Sequence, residues 1–205
     1  MKMRPTTIIL CTCLAAGVAI GLAPHGTPAP NPVSIVEAST FEVDPVHSGV
    51  MFRVKHLNTS YFYGRFNEVS GSFVLDSDHP EQSSFEFVVK VDSVDTNNKK
   101  RERHLAGPDF FNVKQFPTIE FKSTSVTKSG DHDYNVTGDL SLHGVTKQIT
   151  VKITHTGEAS DPWGGYRSGI ESVFEIDRTE FGMTGLVGMV AENIRLFVAL
   201  EGVRK

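Results

Sequence analysis

The stretch Asp44-Pro45-Val46-His47-Ser48-Gly49-Val50-Met51-Phe52-Arg53-Val54-Lys55-His56-Leu57 decides the fold. From Val50 onward it alternates: Val50, Phe52 and Val54 fall on one side, Met51, Arg53 and Lys55 on the other. A period of two is the mark of a strand with one apolar face and one wet face. Asp44-Pro45 supplies a turn before it. His47 and Ser48 stand where the strand begins. The stretch reads as the first strand of a closed antiparallel barrel around which the chain wraps.

Further along, the same texture recurs. Gly64-Arg65-Phe66 and Gly71–Asp76 read as a short and a longer strand, with Phe66, Phe73 and Leu75 inward. Phe85, Phe87, Val89 and Val91 form another half-buried row. Thr96 is placed to cap a helix over Asn97–Leu105, where aliphatic alternation stops and Lys, Arg and Glu take over. Pro108–Phe111 reads as a second helical turn. Strands resume at Ile119, Phe121 and Ser123. Tyr134–Leu142 and Val145–Ile153, joined by His143-Gly144, make the clearest hairpin. Ile170–Ile176 and Ile194–Leu200 close the series, with Asp177–Met183 between them, and the loop Gly157–Gly165 carries the one tryptophan, Trp163. About eight strands at short spacing with one helical excursion predict an all-β fold, an antiparallel barrel or sandwich.

Composition narrows the function. The chain has 205 residues, 39% hydrophobic and 21% charged, a globular balance. The whole carries −4 and residues 1–38, with Lys2, Arg4 and Glu37 as their only charges, carry +1, so the rest carries −5. The one basic cluster is Lys99-Lys100-Arg101, so nucleic acid is not an expected partner. Both cysteines, Cys11 and Cys13, lie before residue 39, which excludes a disulfide framework and cysteine–zinc sites in the remainder. Eight histidines are scattered without a ligand pattern, and no metal is expected. There is no Gly-x-Ser-x-Gly elbow and no cysteine nucleophile after residue 38, and the carboxylates fall on outward positions. The glycine-rich Gly182–Gly188 does not match a phosphate loop and suits a flap or barrel rim. No catalytic residue is therefore assigned.

Lys2 and Arg4 precede an uncharged run from Thr6 to Ala23, the pattern of a secretory signal peptide, and Pro24, Pro28, Pro30 and Pro32 follow as a stiff spacer. Residues 1–38 are thus expected to be a signal peptide and Pro-rich spacer, and 39–205 one barrel domain. An uncleaved membrane anchor is the alternative. Either way the chain is expected to be exported, periplasmic or secreted.

The quoted stretch, followed by Gly64-Arg65-Phe66, Arg101 with His104-Leu105, Asp109-Phe110-Phe111, Phe116–Phe121, Gly138–Lys147 and Asp177–Gly182, resembles the YceI family over roughly residues 40 to 203. Glu102-Arg103 inside the Arg-x-x-His-Leu segment is a departure from its pattern. The resemblance implies an extended, eight-stranded, lipocalin-like barrel whose apolar lumen holds a polyisoprenoid or other long-chain amphiphile. Alternation alone would favour a core filled by side chains, since an eight-stranded barrel is only just wide enough for one slim ligand; the resemblance reverses that preference. Val50, Phe52, Val54, Phe73, Leu75, Phe110, Phe121, Leu140, Leu142, Phe174, Leu196 and Val198 are then the expected lipid contacts. The candidates for its headgroup are His47, Ser48, Arg101, His104 and Arg178, the arginines because a planar guanidinium suits pyrophosphate. The plainer role for Arg101 and Arg178 is pairing with Glu102 and Asp177 to staple helix and loop to the barrel. For His47 it is a hydrogen bond at a strand end. The bound lipid is the only cofactor-like group expected. An enzyme or redox accessory acting on an isoprenoid quinone is the alternative function. Expected partners are the lipid, a transient membrane contact and a homodimer, the last through outward apolar residues such as Val88 and Phe197.

Overall fold

The computed structural model describes residues 39–205, so the expected signal peptide and spacer lie outside the described residues. Eleven strands form one antiparallel sheet: β1 (Thr40–Val43), β2 (Gly49–His56), β3 (Ser60–Phe66), β4 (Val69–Val74), β5 (Ser84–Lys90), β6 (Val94–Asp95), β7 (Thr118–Lys128), β8 (Asp133–Leu142), β9 (Val145–Ser160), β10 (Tyr166–Asp177) and β11 (Val190–Arg204). The order is β1-β4-β5-β7-β8-β9-β10-β11, and β1 pairs again with β11 to close an eight-stranded ring. Strands β2, β3 and β6 continue the sheet from the other half of β11.

Closure thus depends on a strand that periodicity missed. Four residues are too few to show a period, and β1 is recruited because Phe41, Glu42 and Val43 pair with Arg204, Val203 and Gly202. The quoted stretch is the second strand, and its pattern holds: Val50, Phe52 and Val54 are buried. Strand β11 is 15 residues long and pairs with β2 over its first part and with β1 at its end. Together β1 and β2 form one bent side of the wall, interrupted by the Asp44–Ser48 turn.

One end of the barrel is sealed. Phe41 stacks on Phe73 at 5.3 Å between ring centroids, Phe73 on Phe85 at 6.1 Å, and Tyr134 is fully buried. At the other end β6 is not paired with β7, and the gap is filled by the helix α1 (Lys99–Leu105) and the turns that follow it. Asn98, not Thr96, caps α1: its side chain accepts the Arg101 amide at 3.0 Å. Buried Glu102 reaches back to accept the Thr96 and Asn98 amides at 2.9 and 3.1 Å, a reciprocal arrangement that uses Thr96 as a backbone donor instead. Residues 108–111 form irregular turns rather than a helical one, because Asn112 N–H bonds back to the Gly107 carbonyl and Phe111 N–H to Leu105.

Two of the inward phenylalanines need glycine opposite them. A Cβ on Gly64 would fall inside the ring of Phe52, its cross-strand partner, and one on Gly138 would meet the ring of Phe121. The glycine of Gly64-Arg65-Phe66 is there so that Phe52 can lie flat across β3.

Candidate lipid-binding lumen

The open half of the barrel is hollow. Its cavity offers about 190 Å³ in which the centre of a water molecule can sit, within about 1300 Å³ of atom-free space counting the part that opens to solvent. Of the 26 described residues on its wall, all but Ser172 and Arg178 are apolar. Along β11 the wall runs from Leu200 to Val190, about 33 Å of strand at roughly 3.3 Å per residue. Phe110 and Phe111 reach in from the turns after α1, and Leu105 from the helix itself.

Ten of the twelve lipid-contact residues expected from sequence line this space; Phe73 and Leu75 do not. Phe73 points inward, but into the sealed end, where it is sandwiched between Phe41 and Phe85. Leu75 lies past the last residue of β4 and packs against the same core. A period of two distinguishes inside from outside; it carries no information on depth along the barrel axis. Phe66, Phe87, Val89 and Ile119, read from sequence as strand residues but not as lipid contacts, also line it, as do Val69, Ile176 and Met183.

The polar candidates separate into two groups. Gly49 at the start of β2 pairs with Ala199 and His56 at its end with Val190, so His47 and Ser48 stand about 24 Å along the strand from the rim that carries Arg178. Ser48 and Glu201 exchange hydrogen bonds at 3.0 and 3.3 Å. His47 shares Asp44 at 2.8 Å with Arg167, whose guanidinium also reaches Glu201 at 2.6 Å and Asp161 at 2.9 Å. Hydrogen bonds from His47 and Arg167 hold the Asp44 carboxyl well below the usual carboxylate range, and the three carboxylates push Arg167 up. Asp44, His47 and Glu201 are close enough to share a cation, but Arg167 already supplies the positive charge there. Nothing in the sequence pattern marked Arg167, which sits in a strand like any other outward polar residue.

Arg101, His104 and Arg178 belong to the open end. Arg178 is buried and makes no pair with Asp177: its Nε, Nη1 and Nη2 donate to the carbonyls of Ala191, Met183 and Val190, the first and last at 3.0 and 2.9 Å. Burial lowers its pKa, with Glu192 and Asp177 acting the other way. It ties both ends of the segment 183–190 across the barrel mouth. Arg101 lies over the Phe62 ring at 4.0 Å and donates to the Thr96 carbonyl at 2.6 Å, while Glu102 turns to the backbone and to Lys99. His104 sits edge-on to Phe110 and 3.4 Å from Asp109, exposed. The staple role expected for these arginines is realised, but with backbone carbonyls as partners. Val88 and Phe197, the expected dimer contacts, lie on β5 and β11 with two strands between them, and so do not share one patch.

An eight-stranded antiparallel barrel, sealed by aromatics at one end and hollow and apolar at the other, is a barrel of the lipocalin-like class. Residues 41–202 match the model of the YceI-like domain, and the chain belongs to that family. A UPF0312 protein of Yersinia pestis is 41% identical over 169 residues, 82% of this chain and 88% of its own length. Among solved structures, BcnA of Burkholderia cenocepacia superposes with a TM-score of 0.71 at 26% identity, covering 78% of this chain and 98% of that one. A polyisoprenoid-binding domain from Saccharophagus degradans shares the fold at a TM-score of 0.66 and 13% identity, covering 82% of this chain and all of that domain.

Proposed function

We propose that this protein is an exported carrier or store for one long-chain amphiphile, a polyisoprenoid or a lipid of similar length, held in the lumen with its headgroup at the α1 end. The observation that carries this reading is the wall itself: a hollow with 24 of 26 residues apolar. An apolar cavity gives water too few partners. A hydrocarbon chain gains about 0.8 kcal/mol for each buried CH2. The polyisoprenoid-binding description of the Saccharophagus degradans domain, which has the same fold, supports the ligand class.

A binding role fits the two polar wall residues better than catalysis. The Ser172 hydroxyl is committed to the Lys152 carbonyl at 2.6 Å, and Arg178 to three carbonyls, so neither is free as nucleophile, base or acid. Arg101 and His104 stand at the mouth, on the helix where a headgroup would emerge; His47 and Ser48 are too far along the barrel to take part. The test is organic extraction of the purified protein followed by mass spectrometry. The expected result is about one long-chain lipid per chain, by the lumen-size argument, and loss of that lipid in Leu196→Trp, which fills the cavity. A protein that carries no lipid and takes up none when offered a polyprenol would overturn the proposal.

A further inference from the structure

Two leucines at the open end sit where backbone chemistry disfavours them. Leu57 and Asn58 form the turn between β2 and β3 at φ of 46° and 53°, closed by the Thr59 amide on the His56 carbonyl at 2.9 Å. This is the primed turn that Asn-Gly favours, and a leucine in its first central position is strained. Leu186, in the segment that Arg178 ties down, has a φ of 53° as well. Neither side chain recovers that cost by packing: Leu57 is 52% exposed and Leu186 40%, next to Val187 at 49% and Met189 at 46%. The two turns are one structure, since the Leu57 amide donates to the Met189 carbonyl at 2.7 Å. They form a lip on the roof of the lumen, where the backbone at Gly185 lies directly against that of Asp109 in the turns after α1.

We infer that this lip docks the open end of the barrel on a phospholipid bilayer, with Leu57, Leu186, Val187 and Met189 entering the interface. The inference rests on the lipid-carrier reading for its purpose, though not for its geometry. Charge at the same end agrees. Lys100 and Arg103 are exposed on α1 with no carboxylate partner among the described residues, and Lys55 stands near the end of β2. Of the acids at this end, Glu102 pairs with Lys99 at 2.9 Å and Glu180 with Lys147 at 2.8 Å, while Asp109, Glu120 and Glu192 are exposed with no lysine or arginine partner among the described residues. A lipid surface offers hydrocarbon to the leucines and phosphate to the cations, the two things an exposed apolar lip beside a basic helix lacks in water. A lip seated there puts the mouth of the lumen against the source of its ligand.

The test uses the Leu57→Asn/Leu186→Asn double variant. Asparagine tolerates both backbone conformations, so the variant should fold at least as well as the parent while losing the apolar lip. Flotation is measured with mixed phosphatidylcholine–phosphatidylglycerol vesicles, and uptake of a fluorescently labelled polyprenol added from ethanol is measured without vesicles. The parent should float, the double variant should bind on the order of tenfold or more weakly, and both should take up the free probe alike. Lys100→Glu/Arg103→Glu should lose the part of binding that depends on phosphatidylglycerol and is screened by salt. A parent that does not float, or a double variant that floats as well, overturns the inference. So does a vesicle-free shift from dimer to monomer in the double variant, which would assign the lip to a second copy. A protein that floats yet takes up no probe would leave the lip standing and remove the carrier reading; one that takes up probe but does not float would do the reverse.

Discussion

The two ends of the barrel are each held by an arginine, and the contrast between them explains the hollow. At the sealed end Arg167 gathers three carboxylates, Asp44 from the β1–β2 turn, Asp161 from the β9–β10 loop and Glu201 from β11. It works outside a barrel already filled by Phe41, Phe73, Phe85 and Tyr134, and its partly buried charge is met by three carboxylates of opposite sign. At the open end Arg178 is buried and lines the lumen, with no carboxylate paired to it among the described residues. Its partners are three carbonyls that belong to the roof, so the guanidinium organises the roof without bringing an anion into the cavity. Aromatic packing stabilises one end; the other gives up that packing and is held by backbone hydrogen bonds.

The largest expected effect tests that contrast directly. Phe73→Ala should cost about 3–5 kcal/mol, because it opens a cavity between stacked rings that cannot close on themselves. Phe121 faces space that is already empty and is only partly buried, so Phe121→Ala should cost about half of that or less and instead widen the range of chains the lumen accepts. Chemical denaturation of the two variants compares them. Equal losses would mean that the lumen is packed as tightly as the sealed end.

Next in size is the roof. Arg178→Ala leaves three carbonyls without their donor, at a cost of about 2–3 kcal/mol after partial access of water, or about 4–12 °C in Tm for a domain of this size. Arg178→Lys keeps the charge but cannot spread its donors in a plane, and should recover only part of the loss. Ligand exchange should quicken in both variants while the sealed end keeps its hydrogen-exchange protection. A variant that lost protection at both ends alike would show that the two arginines serve one cooperative unit.

How much of this was legible beforehand follows from what each pattern measures. Alternation in Val50–Lys55 and in the β8–β9 hairpin is a statement about the two faces of a strand, and it identified the inner faces correctly. It could not show that β1 closes the ring, because Thr40–Val43 is decided by its pairing with Arg204, Val203 and Gly202 and not by its own composition. Nor could it show that Phe73 and Phe121, both inward, lie in filled and empty halves of one barrel. The headgroup candidates were grouped by residue type, whereas β2 separates His47 from Arg178 by most of its length. Arg167 carried no local signal, since its three partners come from three distant parts of the chain. The strained leucines were missed for the same reason: a φ of 46° is written in the turn geometry, and Leu57 reads in sequence only as the end of an apolar row.

The smallest expected effect concerns α1, which fills the gap between β6 and β7. Glu102 accepts the Thr96 and Asn98 amides and pairs with Lys99, and these bonds, the Thr96 amide first, lower its pKa from 4.5 to about 2. A carboxyl whose pKa is depressed in the folded state adds stability that is complete above its unfolded value and is lost as the pH falls through the folded one. The window is therefore pH 4.5 down to about 2. Glu102→Gln keeps an acceptor oxygen but has no charge to lose, so it should be less stable than the parent at neutral pH, with the difference shrinking through that window. Asp44 at the sealed end is depressed further still, by His47 and Arg167, and should hold to lower pH than Glu102 does. Acid should consequently loosen α1 and the mouth before the sealed end, and hydrogen exchange followed from pH 5 downward should register the helix first. Simultaneous loss of protection at both ends, or a parent and Glu102→Gln that track each other across the window, would remove Glu102 as the fastening of the helix.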